Sequence, residues 1–190
     1  MNYDPQLIET VEADRIPPKI NDEELRRLVV QAKKLEETKK YKKADVRIRV
    51  KNKVCGTCFF EYLSLKKAKA KADYNQVDKR PVDTYKEMWG FSDEIELWLK
   101  LFTGELTPYV YRHLFGNKQL RDHKRLFIDE MPINTQNDII KFFTNNKIAV
   151  VSDILKGRGA LAADWFLVTK QDKCSLSWVL KEINYVLNHY

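Results

Sequence analysis

Two strand-like runs joined by a short polar loop constrain the fold more than any other stretch of this sequence. Val46, Ile48 and Val50 alternate with basic residues, and this period of two suits a strand with a basic outer face. The run CFFEYLSL, which begins at Cys58, is dense in aromatic and branched residues and predicts a more buried strand. A loop over residues 52–57 makes the two runs an antiparallel hairpin.

The ends of this hairpin bring three polar side chains to one edge of the predicted sheet. With the loop centred between Val54 and Cys55, Asp45 lies opposite Ser64, and Lys66 follows one step further on the same face. A carboxylate beside an ammonium suits phosphodiester hydrolysis, because the carboxylate can hold Mg²⁺ and the ammonium can neutralise charge on the phosphate. The alternative is that these are ordinary strand-end residues that stay in water.

A metal site usually needs a second carboxylate, and the sequence leaves its source open. Glu61 is the nearest candidate ligand, but in a regular strand it falls on the face opposite Ser64. Either a bulge turns Glu61 round, or the acid comes from Glu23 or Glu24 on the first helix.

The rest of the chain predicts helices and one further strand. An amphipathic helix follows an Asn21 cap, and the later patterns predict helices over 82–88, 92–104, 108–116, a region capped near Thr135, and the last fifteen residues. AVVSDIL suits a short strand or helix, and ALAADWFLVTK predicts a late strand. The expected fold is α/β (α+β): a small central mixed sheet with flanking helices and a helix-rich C-terminal half. We expect a single domain over 1–190 with a loose N-terminal arm over 1–20.

The charge balance favours a polyanionic partner. The 34 basic residues exceed the 27 acidic residues and give a net charge of +7, with nucleic acid ahead of an acidic membrane surface as the expected partner. No apolar run of about 18 residues could cross a bilayer, and the N-terminus is too polar for a secretory signal, so we expect a cytoplasmic protein. The candidate phosphate or base contacts, which a solvated basic surface would explain equally well, are Arg47, Arg49, Lys67, Lys69 and Arg158.

Cys55 and Cys58 stand in a CxxC spacing within the hairpin turn. A zinc site needs about four ligands, and the other cysteine and the histidines show no matching spacing. We interpret this stretch as a turn made by Gly56 and flanked by two thiols.

The order of an N-terminal helix, a strand opened by KAD, a hairpin and a strand closing in SLK resembles the PD-(D/E)xK nuclease superfamily, particularly type II restriction endonucleases. The resemblance implies Mg²⁺-dependent cleavage of double-stranded DNA, with Asp45 as metal ligand, Lys66 as catalytic lysine and Ser64 in the usual acidic position. The block NQVDKRPVDTYKEMWGF is similar to a stretch of such enzymes, which implies that Gln76 is an active-site polar residue.

The resemblance covers mainly residues 22–90 and has further implications. We expect a homodimer, because a two-fold pair of active sites matches a palindromic target. Enzymes of this kind tend to continue into a basic segment beyond the position of Tyr190, which raises the expectation of a C-terminal truncation. The alternatives are a non-catalytic nucleic-acid-binding domain and an inactive restriction enzyme fragment.

Overall fold

A computed structural model of the chain describes residues 4–28, 35–68, 78–116, 119–171 and 175–189. Its strands are β1 (Ile8–Arg15), β2 (Val46–Asn52), β3 (Cys58–Ala68), β4 (Trp165–Gln171) and β5 (Leu176–Glu182). Its α-helices are α1 (Asp22–Leu28), α2 (Leu35–Tyr41), α3 (Val82–Trp89), α4 (Asp93–Thr103), α5 (Ile133–Asn145), α6 (Lys147–Leu155) and α7 (Ile183–Leu187). Short 3₁₀ helices lie at Pro5–Leu7, Pro108–Leu114 and Ile128–Glu130.

The five strands form one mixed sheet in the order β1-β2-β3-β4-β5. β3 and β4 are parallel, and the other neighbouring strands are antiparallel. Parallel neighbouring strands need a long crossover connection. Here the connection between β3 and β4 contains the helices α3 to α6. The predicted α/β class with a mixed sheet is therefore confirmed.

The chain divides into two compact units. One unit comprises residues 1–77 and 151–190 and contains the sheet, and the other comprises residues 78–150 and is helical. The first has a small apolar cluster that includes Ile16, Leu25 and Leu161. The second has a larger core, whose buried members are Val82, Phe91, Ile95, Trp98, Leu101, Phe115, Leu126, Met131 and Ile139. That 1–190 forms a single domain stays a prediction.

Local signals position the helices of the second unit as expected. α3 begins directly after Pro81, whose fixed φ suits the start of a helix. Ser92 caps α4 because its Oγ accepts a hydrogen bond from the backbone N–H of Ile95 at 3.2 Å. Gly104 then ends α4 in the left-handed conformation, at φ 81°.

The N-terminal segment contains a strand where we expected a loose arm. β1 pairs with β2 over most of its length, with Glu12 opposite Arg49 and Asp14 opposite Arg47. Acidic side chains on β1 therefore face the basic side chains of β2. The correction has an electrostatic reason, since opposite charges directly across an antiparallel pair stabilise the pairing.

The C-terminal segment is also corrected, because the predicted long closing helix is mostly a strand. Leu176–Glu182 pairs with β4 along its whole length, and α7 occupies only Ile183–Leu187. The apolar spacing suited a helix, but this segment satisfies the backbone groups at the edge of β4. Trp178 is 65% exposed on β5.

Smaller differences concern three helical segments. The first predicted helix is described as α1 and α2, and residues 29–34 between them lie outside the described residues. The segment that starts at Pro108 is a 3₁₀ helix, and α5 begins at Ile133 rather than at a Thr135 cap. AVVSDIL, for which strand and helix were both open, lies in α6.

Gly157 and Gly159 allow the loop after α6 to pack closely on α2. Both have φ of +78°, a conformation that favours glycine. A Cβ built on Gly157 would stand 2.4 Å from the carbonyl oxygen of Tyr41, and one on Gly159 would stand 2.7 Å from Thr38 Oγ1. The loop therefore places the residues before β2 against the residues before β4.

We expect Gly157→Ala to destabilise the protein more than Gly56→Ala. Both positions have a positive φ, which costs a non-glycine residue about 1–2 kcal/mol, but a Cβ at Gly56 meets nothing within 4 Å. The contact with Tyr41 should add roughly 1–3 kcal/mol to the loss in the free energy of unfolding for Gly157→Ala. Urea denaturation of the two variants measures this difference, and equal losses would contradict the described packing.

Candidate active site

The hairpin of β2 and β3 has the register that the sequence predicted. Pairing runs from Val46 opposite Leu63 to Lys51 opposite Cys58 without a shift. One residue further, the backbone N–H of Asp45 donates to the carbonyl oxygen of Leu63 at 2.8 Å. Asp45 therefore lies just beyond the last pair of the hairpin, Val46 with Leu63, and beside the stretch of β3 that carries Ser64. That Asp45, Ser64 and Lys66 form one site stays a prediction.

The carboxylate of Asp45 is fixed by the backbone of β3. Its Oδ2 accepts a hydrogen bond from the N–H of Leu65 at 2.7 Å. The Asp45 carbonyl oxygen accepts another from the N–H of Ile16 at 2.9 Å, just after β1. The first bond holds the partly buried carboxylate against β3, and the second ties the Asp45 backbone to the residue that follows β1.

Ser64 and Lys66 share one face of β3, which is the central strand of the sheet. Ser64 is fully buried, and its Oγ is the one buried side-chain polar atom without a hydrogen-bond partner in the described part of the chain. Leaving a buried hydroxyl unpaired costs about 1–3 kcal/mol, so such an atom needs an explanation. Lys66 is partly buried two residues further along.

The structure does not bring Glu61 to this face. β3 pairs regularly with β2 from Cys58 to Leu63, so no bulge turns the Glu61 side chain round. Instead, Glu61 Oε2 accepts a hydrogen bond from the indole N–H of Trp165 on β4 at 2.9 Å. Of the acids on the first helix, Glu24 caps its own helix, because its carboxylate accepts from the N–H of Asn21 at 3.0 Å.

Two further charged groups lie close to the hairpin and were not singled out from the sequence. Burial lowers the pKa of the Lys42 ammonium, while the nearby Asp45 carboxylate opposes that shift. The signal was present in the KKAD string, where a lysine stands three residues before Asp45. Asp164 accepts a hydrogen bond from the N–H of Tyr62 at 3.0 Å, and burial raises its pKa.

The donor set fits a magnesium ion that keeps most of its water. Asp45 offers a carboxylate, which is the hard donor that Mg²⁺ prefers. Within the described ranges, no group of three or more histidine, cysteine, aspartate or glutamate side chains could hold a metal. Mg²⁺ is often bound through only one or two carboxylates, which makes a site with one carboxylate chemically reasonable.

Two of the predicted DNA contacts are engaged within the sheet. Arg47 donates through Nη2 to Asp14 Oδ2 at 2.6 Å and through Nη1 to the carbonyl oxygen of Leu28 at 2.8 Å. Arg49 forms an ion pair with Glu12 of β1. The sequence contained a signal for these pairs: Glu12 and Asp14 are two residues apart, as Arg47 and Arg49 are, so each pair lies on one face of its strand.

The other predicted contacts have different surroundings. Arg158 forms a bidentate ion pair with Asp153, with Nε to Oδ1 at 2.7 Å, and this pair anchors the glycine loop. Lys67 is exposed on β3, whereas Lys69 and Gln76 lie outside the described residues. Cys55 and Cys58 are exposed free thiols in the hairpin turn.

Comparison with known proteins identifies the family. The model of the family described as "R.HinP1I restriction endonuclease" matches residues 27–190, which is most of the chain. The chain belongs to the R.HinP1I restriction endonuclease family. The expected resemblance to type II restriction endonucleases is thereby confirmed.

A solved structure supports the same fold. The restriction endonuclease MspI, crystallised in complex with its cognate DNA, superimposes with a TM-score of 0.58 at 11% sequence identity over 98% of this chain. The chain spans 60% of the MspI chain. The search of curated proteins found no match. In the described residues, no helix is both long enough and apolar enough to cross a membrane.

We expect Arg47→Ala to destabilise the fold and Arg49→Ala to leave it almost unchanged. The Arg47 side chain is 11% exposed and bonds Asp14 and Leu28, so its removal should lower the free energy of unfolding by about 1.5–3 kcal/mol. The Arg49 side chain is 42% exposed, where ion pairs contribute little. Urea denaturation at constant salt measures both. Equal losses in the free energy of unfolding would contradict the prediction that the more buried arginine stabilises the fold more.

Proposed function

We propose that the protein is a type II restriction endonuclease that hydrolyses double-stranded DNA at a specific site with Mg²⁺, in the cytoplasm of a cell with a restriction-modification system. The observation that supports this proposal is the hydrogen bond from the N–H of Leu65 to the Asp45 carboxylate, which holds this acid against the residue of β3 that lies between Ser64 and Lys66 in the sequence. Membership of a restriction endonuclease family supports the reaction class.

The proposed roles follow from the chemistry of each side chain. Asp45 would hold Mg²⁺ together with bound water, and Ser64 occupies the place of the usual second acid. When bound, the metal supplies Lewis-acid polarisation of the phosphodiester. The Lys66 ammonium orients the attacking water and neutralises charge that develops on the phosphate. The roles of Glu61 and Gln76 in catalysis receive no support from the described contacts.

The proposed enzyme acts as a homodimer. One active site cuts one strand, and a two-fold pair of sites can cut both strands of a palindromic target. Light scattering of the purified protein with and without DNA tests this part, and a monomer under both conditions that still cuts both strands at once would contradict it.

We expect Asp45→Asn and Lys66→Ala each to reduce cleavage at least a hundredfold and to leave the fold intact. Asparagine keeps an oxygen that can accept the Leu65 N–H but removes the charge that holds the metal. The measurement is nicking of supercoiled plasmid with Mg²⁺, and binding of the same DNA in EDTA should persist for Asp45→Asn.

The matched controls remove the same charges elsewhere. Asp138→Asn changes an exposed carboxylate on α5, and Lys53→Ala changes an exposed lysine at the far end of the same hairpin. Both should cleave like the wild type. If the Asp45 and Lys66 variants nick DNA as fast as these controls, the assigned site is wrong.

Ser64→Ala separates a role at the site from a role in folding. Removing a buried hydroxyl without a partner should change the free energy of unfolding by less than about 1 kcal/mol, because no described hydrogen bond is lost. We expect cleavage to fall while stability is kept. Thermal unfolding and plasmid cleavage of the same sample check both, and a large loss of stability would mean that the hydroxyl has a structural partner.

A non-catalytic DNA-binding protein is the second candidate, and one observation favours it. The described residues contain no group of three or more histidine, cysteine, aspartate or glutamate side chains that could hold a metal. This alternative, which includes an inactive restriction enzyme fragment, predicts salt-sensitive DNA binding without metal-dependent cleavage.

A further inference from the structure

A buried ion pair between α6 and the loop that follows it takes no part in the proposed chemistry. Asp153 is 6% exposed, and its carboxylate oxygens accept from Arg158, from Nε at 2.7 Å and from Nη2 at 2.5 Å. Two parallel bonds between a planar guanidinium and a carboxylate fix the orientation of both groups. Burying such a pair adds little net stability, because the loss of hydration offsets the attraction. The orientation that the pair imposes therefore points to a role in positioning.

The same arginine contacts the end of α2 in two further ways. The backbone N–H of Arg158 donates to the carbonyl oxygen of Tyr41 at 3.1 Å, and its guanidinium carbon lies 5.6 Å from the centroid of the Tyr41 ring. Tyr41 is buried and is the last residue of α2. Gly157 and Gly159, on either side of Arg158, leave no room for a side chain between the loop and α2. Arg158 therefore joins the end of α2 to α6.

The link from α2 to Asp45 is bonded to the same loop. The backbone N–H groups of Lys43 and Ala44 both donate to the carbonyl oxygen of Leu161, at 3.2 Å and 3.1 Å. The side chains of Ala44 and Leu161 are fully buried. The residues that enter Asp45 are therefore tied to the segment that Arg158 anchors.

The far end of this loop is bonded to α6 and to β3. The N–H of Ala163 donates to the carbonyl oxygen of Lys156 at 2.8 Å, just after α6. The N–H of Asp164 donates to the carbonyl oxygen of Tyr62 on β3 at 2.7 Å. Since β3 also donates to the Asp45 carboxylate through Leu65, a shift of the loop would displace this carboxylate relative to its donor.

We propose that the ion pair between Asp153 and Arg158 positions the active site, because it holds the chain that carries the Asp45 carboxylate in place against β3. Arg158 is a positioning residue in this proposal and acts through the backbone of residues 41–44. The inference rests on the proposed function, because it takes Asp45 as the residue that holds the metal.

The kinetic test uses Arg158→Gln, Asp153→Asn and the double variant in plasmid cleavage with Mg²⁺. We expect kcat to fall about tenfold to a hundredfold, because a small displacement of a catalytic group costs that much in rate, while KM for DNA stays within about twofold. The double variant should lose no more than either single variant, since both break one pair. DNA binding in EDTA should stay unchanged in all three.

A second measurement needs neither metal nor DNA. In EDTA, we expect the N–H groups of Ala44 and Leu65 to exchange with deuterium at least about tenfold faster in Arg158→Gln than in the wild type, because their acceptors are Leu161 and the Asp45 carboxylate. The N–H of Leu126, which donates to Leu101 in the other unit, should exchange at the wild-type rate.

Arg121→Gln is the matched control, because Arg121 is also paired with an aspartate, Asp129, and lies 4.2 Å from the ring centroid of Phe127. This variant should cleave like the wild type, with thermal unfolding measured for every variant. Arg158→Lys keeps the charge without the planar fork, so its kcat should lie between those of the wild type and Arg158→Gln. If Arg158→Gln does not fold, Arg158→Lys takes its place in both measurements.

Three results would overturn the proposal. The first is weaker DNA binding by Arg158→Gln together with tighter binding by Asp153→Asn, which would make Arg158 a DNA contact that Asp153 restrains. The second is a loss of thermal stability while both variants cleave as fast as Arg121→Gln, which would make the pair purely structural. The third is unchanged exchange at Ala44 and Leu65.

The outcomes also separate this proposal from the proposed function. If the wild type cleaves DNA with Mg²⁺ and Arg158→Gln cleaves equally fast, only the positioning proposal fails. If the wild type cleaves no DNA, the proposed function fails and the effect on kcat fails with it. The exchange rates of Ala44 and Leu65 then decide by themselves whether the pair holds Asp45 in place.

Discussion

The hydrogen bond from the N–H of Leu65 to the carboxylate of Asp45 depends on the regular pairing of β2 with β3. A slip of one residue would turn Ser64 and Lys66 to the other face of the sheet and leave Asp45 without this donor. The register is held from both sides, because β1 pairs with β2 and β4 pairs in parallel with β3. The proposed chemistry therefore depends on backbone geometry at the centre of the sheet.

The hairpin and the neighbourhood of Asp45 could be predicted because their signals are local. Period-two alternation and a glycine-containing turn fix which residues lie opposite each other without reference to the rest of the chain. Ser92 and Gly104 likewise place α4 through contacts within a few residues. The family likeness then added roles for Asp45 and Lys66 that spacing alone leaves open.

The two outer strands could not be predicted because their reasons are not local. Glu12 and Asp14 suit a strand only once Arg49 and Arg47 are opposite them. Leu176 and Leu180 have helical spacing, and pairing with β4 overrides that preference. The sequence also does not predict that the Ser64 hydroxyl has no hydrogen-bond partner, since this depends on its burial between neighbouring strands.

The net charge of the chain does not show which cations are already paired within the fold. The basic face of β2 is largely neutralised by β1, and Arg158 is paired with Asp153. Arg112 in the helical unit has no such partner among the described residues, and it lies beside an exposed aromatic ring. A positive net charge indicates a preference for polyanions, but the ion pairs within the fold determine which cations can contact a polyanion.

Digestion of phage DNA by the purified wild-type protein is the most direct test of the central claim. The account predicts a discrete set of fragments with Mg²⁺, whose pattern does not change with enzyme concentration, and intact DNA in EDTA. Intact DNA with Mg²⁺ across a range of salt and protein concentrations would contradict it, as would fragments that also form in EDTA.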